Sequence, residues 1–272
     1  MQNRIMASLI STLLIGMLTA CGGGGGVGAD ANTQVLSSGA STAQTLNPGR
    51  PPGSNFNLAP FTLQLPTGSS GNVDTVSGSS LAAGYTNQYY FYTDSSDGAL
   101  VMVDPTQGWT TSGSQHPRTE MRENATWNTS GKNKLNATVA VTQVPSKTTV
   151  GQIFQGSGPS KPLCELQVTS GGAVNLLLEN TNQGGNAQTY PITSVSVGSR
   201  FNYELSLTGA TITVTVNGTV NGTVKTFTMD SSFNGENFYF KAGNYDQSAV
   251  SGTPLTTPGT IVKFYALTLT HQ

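Results

Sequence analysis

Charge is scarce in this chain: only 9% of its 272 residues are Asp, Glu, Lys or Arg, and the formal net charge is -1. A near-neutral surface gives no general field for nucleic acid or anionic lipid, so neither is expected as a partner. Cysteine is almost absent, with Cys21 and Cys164 alone, and histidine is limited to His116 and His271. No Cys/His cluster exists and the acidic residues are scattered, so no metal site and no cofactor are expected. A G-x-S-x-G hydrolase elbow is also missing. Helical periodicity is nearly absent after residue 55, and the long apolar run Ile5 to Met17 is too short to span a bilayer.

That apolar run, with Arg4 before it and Leu18-Thr19-Ala20-Cys21 after it, reads as an export leader over residues 1–20. The ending resembles a bacterial lipobox. The resemblance implies cleavage before Cys21 and lipidation of its thiol, hence anchoring in the bacterial cell envelope, at the outer membrane, by lipid alone. A lipidated Cys21 leaves Cys164 without a disulfide partner, and a buried small hydrophobe is the expectation for it. Residues 21–54 open with five consecutive glycines and continue through Ser, Thr, Asn and Pro51-Pro52-Gly53, a composition that reads as a tether.

From residue 55 to the end the pattern is short strands and turns, which places the fold in the all-β class. Strands are expected over 61–65, 88–92, 99–103, 136–144, 151–155, 165–168, 174–178, 203–207, 211–216 and 261–270. Asn217-Gly218 marks a tight hairpin after the strand 211–216, with Asn221-Gly222 competing for the turn. No internal repeat or second domain is visible, and a monomer is expected.

Two runs carry chemistry. Side chains alternate across a strand, so Tyr239 to Gln247 puts Lys241, Tyr245 and Gln247 on one face and Phe240 and Ala242 on the other. Arg118 to Arg122 likewise sets Arg118, Glu120 and Arg122 against Thr119 and Met121. Two polar strand faces suggest one cleft. Taken singly, each run also fits a solvated surface with cross-strand ion pairs.

Taken in order, the blocks Thr110-Thr111-Ser112-Gly113-Ser114-Gln115-His116-Pro117-Arg118-Thr119-Glu120-Met121-Arg122-Glu123, Gly151-Gln152-Ile153-Phe154 and Tyr239-Phe240-Lys241-Ala242-Gly243-Asn244-Tyr245-Asp246-Gln247 resemble the three motifs of polysaccharide lyase family 7, the alginate lyases. The opening Phe61 to Gly68 is similar as well. The resemblance implies a β-jelly roll of two curved antiparallel sheets, with a groove for an acidic polysaccharide such as alginate that is cut by β-elimination. It further implies Arg118, Gln152 and Tyr245 as catalytic residues, and Glu120, Arg122, Lys241, Asn244, Gln247 and His116 as substrate-binding ones. The departure is Phe154, which stands where the family carries a histidine.

Elimination at a 4-linked uronate needs the C6 carboxylate neutralised, a base for H5 and an acid for the departing O4. Arg118 and Gln152 suit the first task, by a bidentate contact and an amide hydrogen bond. Tyr245 suits both others when H5 and O4 share a face of the sugar, as in mannuronate. His116 is a candidate replacement for the missing imidazole, against a plain role at the entry to the arginine strand. A protein that binds the polymer without cutting it remains the alternative.

Overall fold

The computed structural model describes residues 45–218 and 220–272, so Cys21 and the leader lie outside the described residues. Its strands assemble into an eight-stranded and a seven-stranded sheet, each paired antiparallel, with a short parallel pair between Gln107–Gly108 and Val250–Ser251 beside them. The larger sheet runs Ala187–Ser194, Ala173–Glu179, Pro162–Thr169, Lys147–Gln155, Phe238–Asp246, Thr119–Glu123, Phe61–Ser69, Asn72–Val76. The smaller runs Thr223–Thr228, Thr211–Val216, Phe201–Thr208, Asn133–Gln143, Pro258–His271, Leu100–Pro105, Phe91–Thr93. Neighbours far apart in sequence, such as Phe238–Asp246 beside Thr119–Glu123, give the crossovers of a jelly-roll sandwich.

Alternation builds the core between the sheets. Phe61, Leu63, Met121, Ile153, Phe240 and Ala242 turn inward from the large sheet and meet Leu100, Met102, Val139, Leu205, Val214 and Phe264 from the other, all buried. Full burial of a Phe or Met side chain contributes about 1.5–3 kcal/mol, so Phe240 and Met121 anchor the two chemistry-bearing strands energetically as well as geometrically. Cys164 is buried in the same core, and burial pushes its thiol up to about 12, which makes it an inert hydrophobe.

Three local details differ from the sequence expectation. Residues 45–54, counted with the tether by composition, pack on the domain: Leu46 lies against the core, and the Asn55 amide donates to the carbonyls of Asn47 at 3.0 Å and Gly98 at 3.2 Å. The expected two-residue hairpin is absent, because Val216 pairs with Thr223 and both Asn-Gly pairs fall in the connection between them, with Asn217 left-handed at φ 58°. The strands Ala187–Ser194 and Thr223–Thr228, at the sheet edges, have too few apolar residues to show alternation.

Inward polar groups also tie the sheets together. Asn244 is fully buried; its amide donates to Met102 O at 3.0 Å and Thr260 O at 2.9 Å, while Thr148 and Thr260 hydroxyls donate to its Oδ1 at 2.7 and 2.6 Å. Thr119 Oγ1 adds a bond to Val103 O at 2.7 Å. Asn244→Ala strands the buried carbonyls and hydroxyls, and a loss of about 2–4 kcal/mol is expected. A urea midpoint unchanged from the parent contradicts this.

Candidate active site

The polar faces of the two runs meet on the outer face of the large sheet. Thr119–Glu123 pairs with Phe238–Asp246, which pairs with Lys147–Gln155 in turn, so Arg122, Lys241 and Gln152 are in register across three strands. Gly243 permits this closeness: a Cβ there would meet Glu120 Cα at 2.6 Å and Thr119 O at 2.8 Å. Above these strands lies a cleft of about 330 Å³, lined by Arg118, Gln152, Phe154, Glu165, Lys241 and Tyr245, together with residues of the loop 111–114 and of 160–162.

Glu120 is the hub beneath the cleft. Its carboxylate, 0% exposed, takes Arg118 Nη1 at 2.9 Å and Lys241 Nζ at 3.3 Å on Oε2, and Gln152 Nε2 at 2.5 Å on Oε1. Burial alone raises its pKa, but Lys241, Arg118 and the Gln152 hydrogen bond outweigh burial and hold the carboxyl below its ordinary range. Burial, with Arg118 adding to it, lowers Lys241 to about 8, so the ammonium still carries its charge at neutral pH. Two cations on one carboxylate leave a net positive floor, suited to an anionic ligand.

Tyr245 stands at one end of that floor. Its hydroxyl lies 3.0 Å from Ser114 Oγ, and the Arg118 guanidinium sits 3.8 Å from the centre of its ring. Burial pushes the phenol above 10.0, and Arg118 and Ser114 pull it back in part. At the other end, Phe154 stacks on Tyr239 with ring centres 5.4 Å apart, and Lys241 Nζ lies 4.4 Å over its face. Phe154 is therefore packed as an aromatic face, in contact with a ring and a cation.

Arg118, Gln152, Lys241 and Tyr245 are thus brought together as the two runs require. Two expected substrate contacts, Glu120 and Asn244, need correction. Glu120 holds the cations from beneath and is too buried to touch a ligand. Asn244 is an even-numbered position that points between the sheets, so it is not a substrate contact. Gln247 lies past the strand end, where its amide donates to Tyr245 O at 3.2 Å. Arg122 is exposed and stacks over Tyr239, 4.3 Å from the ring centre, at the edge of the cleft. His116 donates from Nδ1 to Ala249 O at 2.7 Å, with its ring centre 6.2 Å from that of Tyr245, outside the cleft lining.

Two residues of the cleft have no role in the sequence expectation. Ser114 belongs to the Gly/Ser/Thr-rich loop before Arg118. Glu165 pairs in register with Gln152, and its Oε2 accepts from Thr149 Oγ1 at 2.7 Å. Burial raises the Glu165 pKa against the Thr149 hydrogen bond.

Comparison with known proteins matches this architecture. The family model described as alginate lyase fits residues 56–271. Alginate lyase A1-II′, a member of polysaccharide lyase family 7, is 31% identical with a TM-score of 0.70, over 81% of this chain and 98% of its own. A variant of that enzyme with a histidine-to-asparagine and a tyrosine-to-phenylalanine change, solved with substrate (GGMG), is 31% identical with a TM-score of 0.70, over 81% of this chain and 96% of its own. An alginate lyase from Pseudomonas aeruginosa is 26% identical with a TM-score of 0.69, over 79% of this chain and 99% of its own. No curated protein matches the chain.

Proposed function

The chain belongs to the alginate lyase family of polysaccharide lyases, and from that membership we propose that it cuts mannuronate-rich alginate with Tyr245 as both base and acid. The observation that carries this reading is the cleft itself, in which Arg118, Gln152 and Tyr245 converge and Phe154, a side chain unable to move a proton, forms part of the wall beside Lys241 and Glu165. The A1-II′ variant that holds substrate is altered at a histidine and a tyrosine. By the motif resemblance alone, this chain keeps the tyrosine as Tyr245 and carries Phe154 where a histidine is expected.

In the proposed reaction the uronate C6 carboxylate is received by Arg118, which makes one contact to Glu120 and one to Ser114 and so has further N–H groups to offer. Gln152 keeps one amide hydrogen for the same carboxylate. With that charge countered, the Tyr245 phenolate takes H5; the C5–H bond breaks and electrons flow into the C4–C5 double bond. The C4–O4 bond breaks, and O4 takes the proton that Tyr245 has just received. One oxygen serves both steps only when H5 and O4 lie on the same face, which is the mannuronate case. An opposite-face base is what guluronate needs, and Phe154 supplies none.

The test is incubation of the full chain with alginate and with other polyuronates such as glucuronan, following the ultraviolet absorbance of the unsaturated product. Product from alginate is expected. Binding of alginate without product would favour the second reading, a polysaccharide-binding protein, which only the missing histidine supports.

We also propose that Cys21 is lipidated and holds the enzyme at the envelope, a reading supported by the lipobox resemblance alone. Cys21→Ser should release the protein from the membrane fraction with turnover unchanged. Continued retention of that variant rules the anchor out.

A further inference from the structure

Ser114 sits at the junction of the two groups most directly tied to the reaction. Its Oγ donates to the backbone carbonyl of His116 at 3.0 Å, accepts from Arg118 Nη2 at 2.7 Å, and lies 3.0 Å from Tyr245 Oη. A serine hydroxyl has one proton and two lone pairs. With the proton given to His116 O and one lone pair given to Arg118, the remaining lone pair can only accept, so the neutral Tyr245 hydroxyl is the donor. The arrangement is saturated, and it fixes the direction in which the tyrosine proton points.

That arrangement fails once Tyr245 ionises, because a phenolate oxygen and a serine lone pair repel. Rotation about the Ser114 side chain removes the conflict: the serine proton leaves His116 O and turns to the phenolate, while the contact from Arg118 can persist. We propose that Ser114 is the positioning residue of the acid–base tyrosine, a rotor whose single proton faces His116 O when Tyr245 is neutral and faces Tyr245 Oη when it is ionised. When H5 transfers to the phenolate the rotor turns back, and it turns again as that proton passes to O4. No proton is gained or lost by Ser114 in the cycle. The inference rests on Tyr245 being the base and acid.

The charged and titratable groups around Tyr245 are few. Arg118 covers its ring, Glu120 lies beneath on the strand that Arg118 leads into, Lys241 is on its own strand, Glu165 faces it from Pro162–Thr169, and His116 is beside it in the loop. The two carboxyls oppose phenolate formation and Arg118 favours it; Ser114 is the hydroxyl bonded to the phenol oxygen. Hydrogen bonds to a charged group are the strong ones, and losing this one is expected to cost turnover about 10- to 100-fold at pH 7.

The experiment is the pH profile of kcat on mannuronate-rich alginate for the parent, Ser114→Ala, Ser114→Thr and Tyr245→Phe. For Ser114→Ala the acid limb should move to higher pH by about one to two units, with turnover recovering as pH rises and KM little changed. Ser114→Thr, which restores the hydroxyl, should recover the parent profile. A uniform loss at all pH without movement of the limb marks Ser114 as a loop-packing residue and overturns the proposal, as does an unaltered Ser114→Ala profile. Activity retained by Tyr245→Phe removes the tyrosine premise itself. That failure is distinguishable, since Tyr245→Phe is expected to be inactive at every pH, whereas Ser114→Ala is not.

Discussion

Tyr245→Phe is expected to lower kcat about 1000-fold or more while leaving KM for alginate nearly unchanged. The size follows from the double duty assigned to one oxygen: general acid–base assistance contributes about 100- to 10,000-fold per step, and this substitution removes it from both H5 abstraction and O4 protonation. The selectivity for kcat follows from structure. Only the hydroxyl is lost; the ring remains under the Arg118 guanidinium at 3.8 Å, and the backbone of its strand stays fixed through Phe240, Ala242 and Asn244 on the inward face. Among the described residues, the polar bond forfeited is the one to Ser114. Stopped and steady-state assays on one polymer give both constants. Full turnover in Tyr245→Phe removes the tyrosine from the chemistry and leaves His116, 6.2 Å away between ring centres, as the next base to test.

Arg118→Ala is the second large effect, an expected loss in kcat of about 100-fold or more. Charge builds on the C6 carboxylate as H5 departs, and a donor aimed at developing charge is worth about that factor in other enzymes. Two further consequences separate this residue from its neighbour. Arg118 also favours the Tyr245 phenolate, so its loss raises the tyrosine pKa and shifts the pH profile upward. Its loss also leaves Glu120 with Lys241 as the one cation in contact, and an acid unfolding midpoint at higher pH is expected. The sign follows from a carboxyl held below its ordinary range: its stabilisation is present above the unfolded value, fades as pH falls through the folded one, and is smaller once a cation is removed. Lys241→Ala, by contrast, takes a charge from the floor of the cleft and should appear mainly as a higher KM with altered salt dependence. Turnover intact in Arg118→Ala contradicts the assignment of the carboxylate subsite.

The legible part of this molecule is what a period of two can express. The faces of Thr119–Glu123 and Phe238–Asp246 follow parity, so Arg118, Lys241 and Tyr245 could be set on one wall and Met121, Phe240 and Ala242 in the core before any coordinates. Asn244 shows what happens when parity is set aside. It lies in the same block as Tyr245 and looks like a ligand contact by resemblance, yet its even position turns it between the sheets, where its amide joins Met102 and Thr260. Glu120 has the right parity and still misleads, because alternation gives a face and not a depth; two cations and an amide close over it. Ser114, inside the block 110–123, has no legible role for another reason. A serine among Thr, Ser and Gly in a loop has no periodicity, and only the folded path of residues 110–117 brings it to Tyr245 and Arg118 at once. Glu165 is a lone carboxyl in an amphipathic strand, and its place in the cleft depends on strand order that composition does not encode.

In the proposed mechanism Phe154 sets which sugar the cleft serves. Its ring stacks on Tyr239 and carries Lys241 Nζ 4.4 Å from its centre, an environment fitted to a ring. The most direct measurement is therefore the initial rate of unsaturated product on mannuronate-rich against guluronate-rich alginate, with the full chain at equal polymer concentration. Same-face elimination by Tyr245 predicts rapid cutting of the mannuronate-rich polymer and a rate on the guluronate-rich one lower by about 100-fold or more, the worth of a missing general base. Equal rates, or a preference for guluronate, would contradict the account, because they require an opposite-face base that Phe154 cannot be.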